Sequence, residues 1–384
     1  MTTHLAAISL AKGEPFKLQP RPTPKPGPGE LLIEVKSVAL NPADCHMRDQ
    51  GLFIPSYPTI IGFDFSGLVL DVGENVPVDE GMGPIFQPGI TRVAAYSASV
   101  WKSCDPDYGV FQERCLVPWQ QAMPLSNEGI SWNQAATLPV AIQVPLSAWD
   151  MMGISRIGEA TASSSCAFVT DTNGETQDHQ SQKREALLIW GASSSVGTMG
   201  VQTARLLCDD PNSSFAAVYA TAGAANQKYV ATLGADCVFD YKDPSVVDSI
   251  VSAARKDGLV IRYCFLAMGQ LALCQAVLKA FLGDGQGVEE RNAKIGSAPI
   301  IPPDVEDVDG VETIFVMPSW EEGERLAQFQ YWLGTWGREN LTNGTIRPSP
   351  EPRVVGKGLG AINGGLDVLF QGVSCAKLVV EVSE

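Results

Sequence analysis

Residues 186–197 read Ala186-Leu187-Leu188-Ile189-Trp190-Gly191-Ala192-Ser193-Ser194-Ser195-Val196-Gly197, and this stretch decides the fold. A continuous apolar run marks a strand buried on both faces of a parallel sheet. A turn of small residues follows. Beyond it Met199, Val201, Ala204, Leu207 and Cys208 recur at helical spacing. Strand end, tight turn and helix start bring backbone N–H groups and the positive end of a helix dipole to one point, which suits a pyrophosphate. The strict G-x-G-x-x-G pattern is not met, because Ser193 and Ser194 stand where glycines are often found. Their hydroxyls are themselves donors for phosphate. Taken alone, the turn reads either as a dinucleotide site or as an ordinary strand-to-helix turn without a ligand.

Downstream, Phe215 to Thr221 reads as a strand and Asn226 to Leu233 as a helix. Cys237 to Phe239 is a strand, 245–256 a helix, and Ile261 to Ala267 a strand. Alternating strands and helices predict a doubly wound parallel sheet. Upstream the texture is different. Leu31 to Leu40 alternates with β-branched residues and stops at Asn41-Pro42; Ile60 to Val72 is a second strand region. Short strands with frequent Pro and Gly continue to about residue 125, so the first third is β-rich. Residues 132–152 read as helix interrupted by Pro139 and Pro145. Residues 158–185 are rich in Ser, Thr and Gln, and predict a flexible surface insertion. Residues 283–310 read as loop, 321–336 as helix, and Lys377 to Val382 as a last strand.

The 384 residues suggest about two domains. With 45% hydrophobic residues the chain builds real cores. Its 43 Asp and Glu against 27 Lys and Arg leave a net charge of −16, which repels polyanions and argues against nucleic-acid or acidic-membrane binding. No apolar run reaches the roughly 18–20 residues of a membrane helix, and residues 1–11 lack a secretory pattern. The nine cysteines form no CxxC and argue against a disulfide framework, so a cytoplasmic location is expected.

The second nucleotide-domain strand bears on the choice of coenzyme. An NAD site typically places Asp or Glu about 20 residues beyond the turn. Here the strand ends Ala220-Thr221-Ala222-Gly223, with Asn226 and Lys228 close behind. A missing anion with a nearby cation favours the extra phosphate of NADP. Lys228 also reads as an ordinary solvated helix lysine.

Several stretches together carry a family resemblance: Val38-Ala39-Leu40-Asn41-Pro42-Ala43-Asp44, Pro58 to Val69, Ala135-Ala136-Thr137-Leu138-Pro139, Ile189 to Gly197, and Leu233-Gly234-Ala235-Asp236. In this order they resemble the medium-chain dehydrogenase/reductase superfamily. The resemblance implies an α/β protein: a GroES-like, β-rich catalytic domain plus a Rossmann cofactor domain. The domains would be 1–136, 137–318, and 319–384 returning to the first. Zinc enzymes of the superfamily carry Cys where this chain has Asn41, and Gly-His-Glu where it has Gly62-Phe63-Asp64. A Phe cannot ligate a metal, and only Cys104 and Cys115 fall where a four-cysteine lobe would stand, so no metal is expected. Among zinc-free members the chain most resembles fungal trans-acting enoyl reductases that partner polyketide synthases. Shared features are Asn-Pro-x-Asp followed by Met47-Arg48, the Gly62 to Gly67 run, and Val238-Phe239-Asp240-Tyr241.

That resemblance implies reduction by NADP(H) of an enoyl substrate, either a small molecule or one bound to a carrier protein, with a polyketide synthase as partner. Alternatives left open are a quinone or enone oxidoreductase and a non-catalytic accessory protein. The resemblance sets His46 where relatives carry Tyr or Lys facing the substrate, as the catalytic candidate; an unperturbed pKa of about 6.5 suits proton transfer. It reads equally as a loop histidine. Asn41 and Pro42 are expected at the cofactor. Ser193, Ser194, Ser195 and Val196 are expected on the pyrophosphate. Thr221, Asn226, Lys228 and Tyr241 are expected around the adenosine ribose, although Tyr241 also reads as plain packing. Ala267 and Met268 are expected along the nicotinamide edge. Asp44 reads either as a catalytic acid or, more readily, as a turn or capping partner of Asn41. Where relatives often carry a Thr stands Val144, so that contact is either lost or taken by Gln143 or Ser147. Lys377 reads as structural.

Overall fold

The computed structural model describes residues 2–79, 83–126, 129–157, 184–283 and 293–383. The chain divides into two compact units, Met1–Gln143 with Pro318–Glu384, and Val144–Met317. The sequence reading put the joins at 136/137 and 318/319; the first falls instead within a helix, at 143/144.

The first unit opens with β1 (Thr3–Ile8) and β2 (Lys17–Pro22), an antiparallel pair. Then come β3 (Glu30–Ala39), α1 (Pro42–Gln50), β4 (Asp64–Val72), the short pair β5 (Val78–Asp79) and β6 (Gly83–Pro84), β7 (Arg92–Tyr96), β8 (Arg114–Pro118) and β9 (Ala122–Leu125). Helices α2 (Trp132–Ala136) and α3 (Leu138–Met152) follow. The stretch read as one interrupted helix is broken at Thr137, two residues before Pro139, so Pro139 marks the start of a second helix. It lies in the first turn of α3, where a missing N–H costs nothing. Pro145 stands inside a helix that continues past it.

The second unit holds β10 (Glu185–Trp190), α4 (Ser195–Asp209), β11 (Phe215–Thr221), α5 (Gln227–Ala231), β12 (Cys237–Phe239), α6 (Val246–Lys256), β13 (Val260–Leu266), α7 (Leu271–Lys279), β14 (Ala293–Ser297) and β15 (Val311–Phe315). All six strands run parallel, in the order β12-β11-β10-β13-β14-β15. Numbered within the unit this is 3-2-1-4-5-6, the doubly wound order of dinucleotide-binding sheets. Alternate residues of β10 face opposite sides. Leu188 and Trp190 join Ile250, Val277 and Leu278 of α6 and α7 in one core. On the other side Gly200 lets α4 lie against Phe265, where a Cβ would come within 2.8 Å of the ring. The Trp149 ring meets Phe265 edge-on at 5.7 Å, and its Nε1 donates to Thr203 Oγ1 at 3.1 Å. Strand β14 corrects the reading of 283–310 as loop. The insertion read at 158–185 lies outside the described residues except for its last two, and Glu185 already belongs to β10.

The chain then returns to the first unit with α8 (Glu322–Phe329), a π-helix over Gln330–Gly337, α9 (Arg338–Thr342), β16 (Pro352–Lys357), α10 (Ile362–Phe370) and β17 (Lys377–Glu381). The main sheet has the order β16-β17-β3-β4-β7-β9, with β8 paired to β3. Strand β17 therefore sits between β16 and β3. No helix among the described residues is long and apolar enough to cross a membrane.

Candidate functional site

The turn after β10 lies at the switch point of the sheet, where β11 and β13 flank β10 on opposite sides. Gly191 has φ +77°, and a Cβ there would come within 2.3 Å of the Met268 carbonyl oxygen. The glycine is thus required by the neighbouring strand end. Ala267 N donates to Trp190 O at 2.9 Å and seats that end. Ala267 is buried and Met268 is half exposed beside the turn. The Thr221 hydroxyl accepts from Gly191 N at 3.0 Å. Thr221 is fully buried, so its side chain braces the turn, not the ribose position the sequence reading assigned to it.

The three serines have separate tasks. Ser193 is half-buried in the turn. Ser194 is the N-cap of α4. Its hydroxyl accepts from Gly197 N at 3.1 Å and donates to Gly191 O at 2.9 Å. That hydroxyl, expected on a phosphate, is committed to the cap. Ser195 Oγ is buried without a hydrogen-bond partner among the described residues. The N–H groups of Ser195 and Val196 lie in the first turn of α4, where no intrahelical acceptor exists. Unmet donors and a helix dipole at one point suit an anion.

Beyond β11, Ala222 N donates to Phe239 O at 2.9 Å, and Asn226 N to Gly223 O at 2.8 Å. The Tyr241 ring stands beside Gly223, where a Cβ would lie 3.7 Å from it. Lys228 is exposed on α5, and Tyr241 is 43% exposed. Tyr241 thus stands beside Gly223 at the end of β11, and Asn226 and Lys228 follow Gly223 in the chain.

In the first unit, Asn41 and Pro42 begin α1 as N-cap and first residue. Asn41 is buried and its side chain is spent inside the unit. Its Nδ2 donates to Ala39 O at 3.2 Å and to Asp64 Oδ2 at 3.0 Å, and its Oδ1 accepts from Lys377 Nζ at 2.5 Å. The cofactor contact assigned to it in the sequence has no free polar atom among these. Asp44 accepts from Asn41 N at 2.7 Å through Oδ2, the capping role expected of it. His46 is half-buried on α1, and among the described residues its ring makes no hydrogen bond or ion pair. Cys45 beside it is no thiolate: burial pushes it up to about 12, and it donates to Leu366 O at 3.6 Å.

Sequence reasoning missed Asp64, and read Lys377 as structural without its partner. Asp64 is wholly buried and its carboxylate meets Lys377 Nζ at 2.9 Å; Lys377 is 4% exposed. The signal was a charge set in each of two apolar strands. Gln143, offered in the sequence as a contact in place of Val144, is buried with its Nε2 unpartnered among the described residues. Ser147 Oγ donates to Met317 O at 3.4 Å.

Residues 27–127 match the alcohol dehydrogenase GroES-like domain. The chain is 37% identical over 379 residues to the trans-enoyl reductase tndF of Aspergillus flavipes, covering 98% of each chain. It is 37% identical over 321 residues to the trans-enoyl reductase tazE of Aspergillus terreus, covering 83% of this chain and 93% of that one. An alcohol dehydrogenase superfamily protein from Novosphingobium aromaticivorans has the same fold, with TM-score 0.70, 19% identity, and coverage of 99% and 100%. Full-length identity at this level, a GroES-like match over the β-rich part and a 3-2-1-4-5-6 sheet over the rest agree, and the chain belongs to the medium-chain dehydrogenase/reductase superfamily of oxidoreductases, beside the fungal trans-enoyl reductases.

Proposed function

We propose that the chain is an NADPH-dependent enoyl reductase. Its substrate would be an α,β-unsaturated thioester borne on a carrier protein, with a polyketide synthase as partner. The observation that carries this reading is the turn after β10: among the described residues Ser195 Oγ has no partner, and the N–H groups of Ser195 and Val196 have no intrahelical acceptor, at the switch point of the sheet. A dinucleotide pyrophosphate fits those donors. The strand beside it ends without a carboxylate, and exposed Lys228 offers a cation for a ribose phosphate. The names of the two fungal relatives, both trans-enoyl reductases, support an enoyl substrate.

When bound, the reduced nicotinamide supplies a hydride to the β-carbon of the substrate. The chain's own residues do the rest. Ser195, Val196 and Lys228 hold phosphates. Thr221 and Ser194 keep the turn in shape. The α-carbon then needs one proton. His46, whose ring is committed to no other group among the described residues, is the chain's candidate donor of that proton.

The test combines nucleotide titration with turnover followed by nicotinamide absorbance. NADPH is expected to bind and to be consumed with a 2-enoyl thioester. Lys228→Ala is expected to weaken NADPH by about tenfold and leave NADH unchanged. Reduction of free quinones with thioesters untouched would replace the substrate class. Tight NADPH binding with no turnover on either would make this an accessory protein.

A further inference from the structure

Two uncommitted polar groups of the first unit sit on helices that begin at one carboxylate. The His46 ring is on α1, and the unpartnered Gln143 Nε2 is on α3. Asp64 Oδ2 accepts from Asn41 Nδ2 at 3.0 Å, and Asn41 is the N-cap of α1. Asp64 Oδ1 accepts from Val140 N at 2.7 Å. That N–H lies in the first turn of α3, where no helical acceptor exists. Lys377 Nζ closes the group at 2.9 Å from Asp64 and 2.5 Å from Asn41.

Stability does not explain a charge pair in this place. Taking a carboxylate and an ammonium out of water costs several kcal/mol per ion, and apolar residues of similar volume are often as stabilising. What a carboxylate offers is direction. Its two oxygens take three donors from three distant parts of the chain, and each donor fixes one element. The far end of α1 is held separately, by Arg48 on Asp367 at 2.8 Å. His46 lies between these two anchors, so a shift of Asn41 is passed to its ring.

We propose that Asp64 is a positioning residue: through Asn41 and the Val140 N–H it sets the seats of α1 and α3, and Lys377 holds it in that geometry. The kinetic part of this assignment rests on the reductase reading above; the spectroscopic part does not.

The test uses the full chain with Asp64→Glu, Asp64→Asn and Lys377→Arg. Asp64→Glu and Lys377→Arg keep the charges but displace the contacts, so a pair that served stability alone would tolerate them. With NADPH and a 2-enoyl thioester, kcat is expected to fall roughly 10–100-fold, with NADPH affinity within about twofold of wild type. Ring signals of His46 in NMR are expected to move in the same variants, while those of His4 stay. If Asp64→Asn fails to fold, the two charge-keeping variants decide. Wild-type kcat together with unmoved His46 signals overturns the proposal, as does a loss confined to NADPH affinity. A wild-type protein that reduces no thioester sinks the reductase reading alone, and the His46 signals still decide the role of Asp64.

Discussion

Asp44 shows at the scale of one residue what burial does to an acid. It is fully buried, and its Oδ1 has no partner among the described residues. Burial pushes its carboxyl from 3.8 up to about 7, although the Asn41 N–H and the Lys377 charge pull it down. In the unfolded chain the group ionises near 3.8, so between about 4 and 7 the folded state holds a proton that the unfolded state has lost. Its contribution to stability is whole below that window and disappears as pH rises through it. Asp44→Asn keeps the shape without the proton. Thermal melts across the window should show wild type losing stability against the variant as pH rises; a constant difference would refute this. The turn after β10 makes a second prediction. Gly191→Ala should cost about 1–3 kcal/mol, because it adds a clash at positive φ. Ser194→Ala should cost about 1 kcal/mol through the lost cap. Ser195→Ala should leave denaturant unfolding unchanged and weaken NADPH in a nucleotide titration. Equal effects of the two serine changes on both measurements would contradict the division of labour between them.

At the scale of elements, the π-helix reverses a usual expectation. Gly337 ends it, and a Cβ there would meet Trp332 O at 2.8 Å and the side chains of Ile142 and Met123 at 3.3 Å. Alanine is the better helix former. Gly337→Ala should nonetheless destabilise by about 1–3 kcal/mol in denaturant melts, because the added carbon has nowhere to go. An unchanged or raised midpoint would mean that the segment relaxes. What was legible in the sequence follows the same logic. The strands of the second unit announce themselves as apolar runs, so β10, β11, β12 and β13 fall where read. Helix α1 was hidden, because Asn41-Pro42 is at once a strand stop and a helix start. Strand β14 was hidden because Ala293–Ser297 is short and carries Gly296, where an added Cβ would come within 3.1 Å of the Ala148 Cβ. The cofactor turn was found, but the tasks of Ser194 and Thr221 depend on hydrogen bonds to Gly191 that no spacing announces.

Over the whole molecule, the least legible feature is the buried group around Asp64, since Asn41 and Lys377 are 336 residues apart. No local pattern joins them; only the placement of β17 between β16 and β3 does. That placement has a consequence for synthesis. A ribosome adds roughly 5–20 residues per second, so on the order of 20–70 s pass between the emergence of the two partners. For that interval the Asp64 carboxylate lacks its lysine partner, and the Ser37–Ala39 end of β3 lacks the strand that pairs with it. The nucleotide-type sheet, encoded entirely between them, is translated in full meanwhile. The β-rich sheet is therefore completed by β17 only after the nucleotide-type sheet has been made.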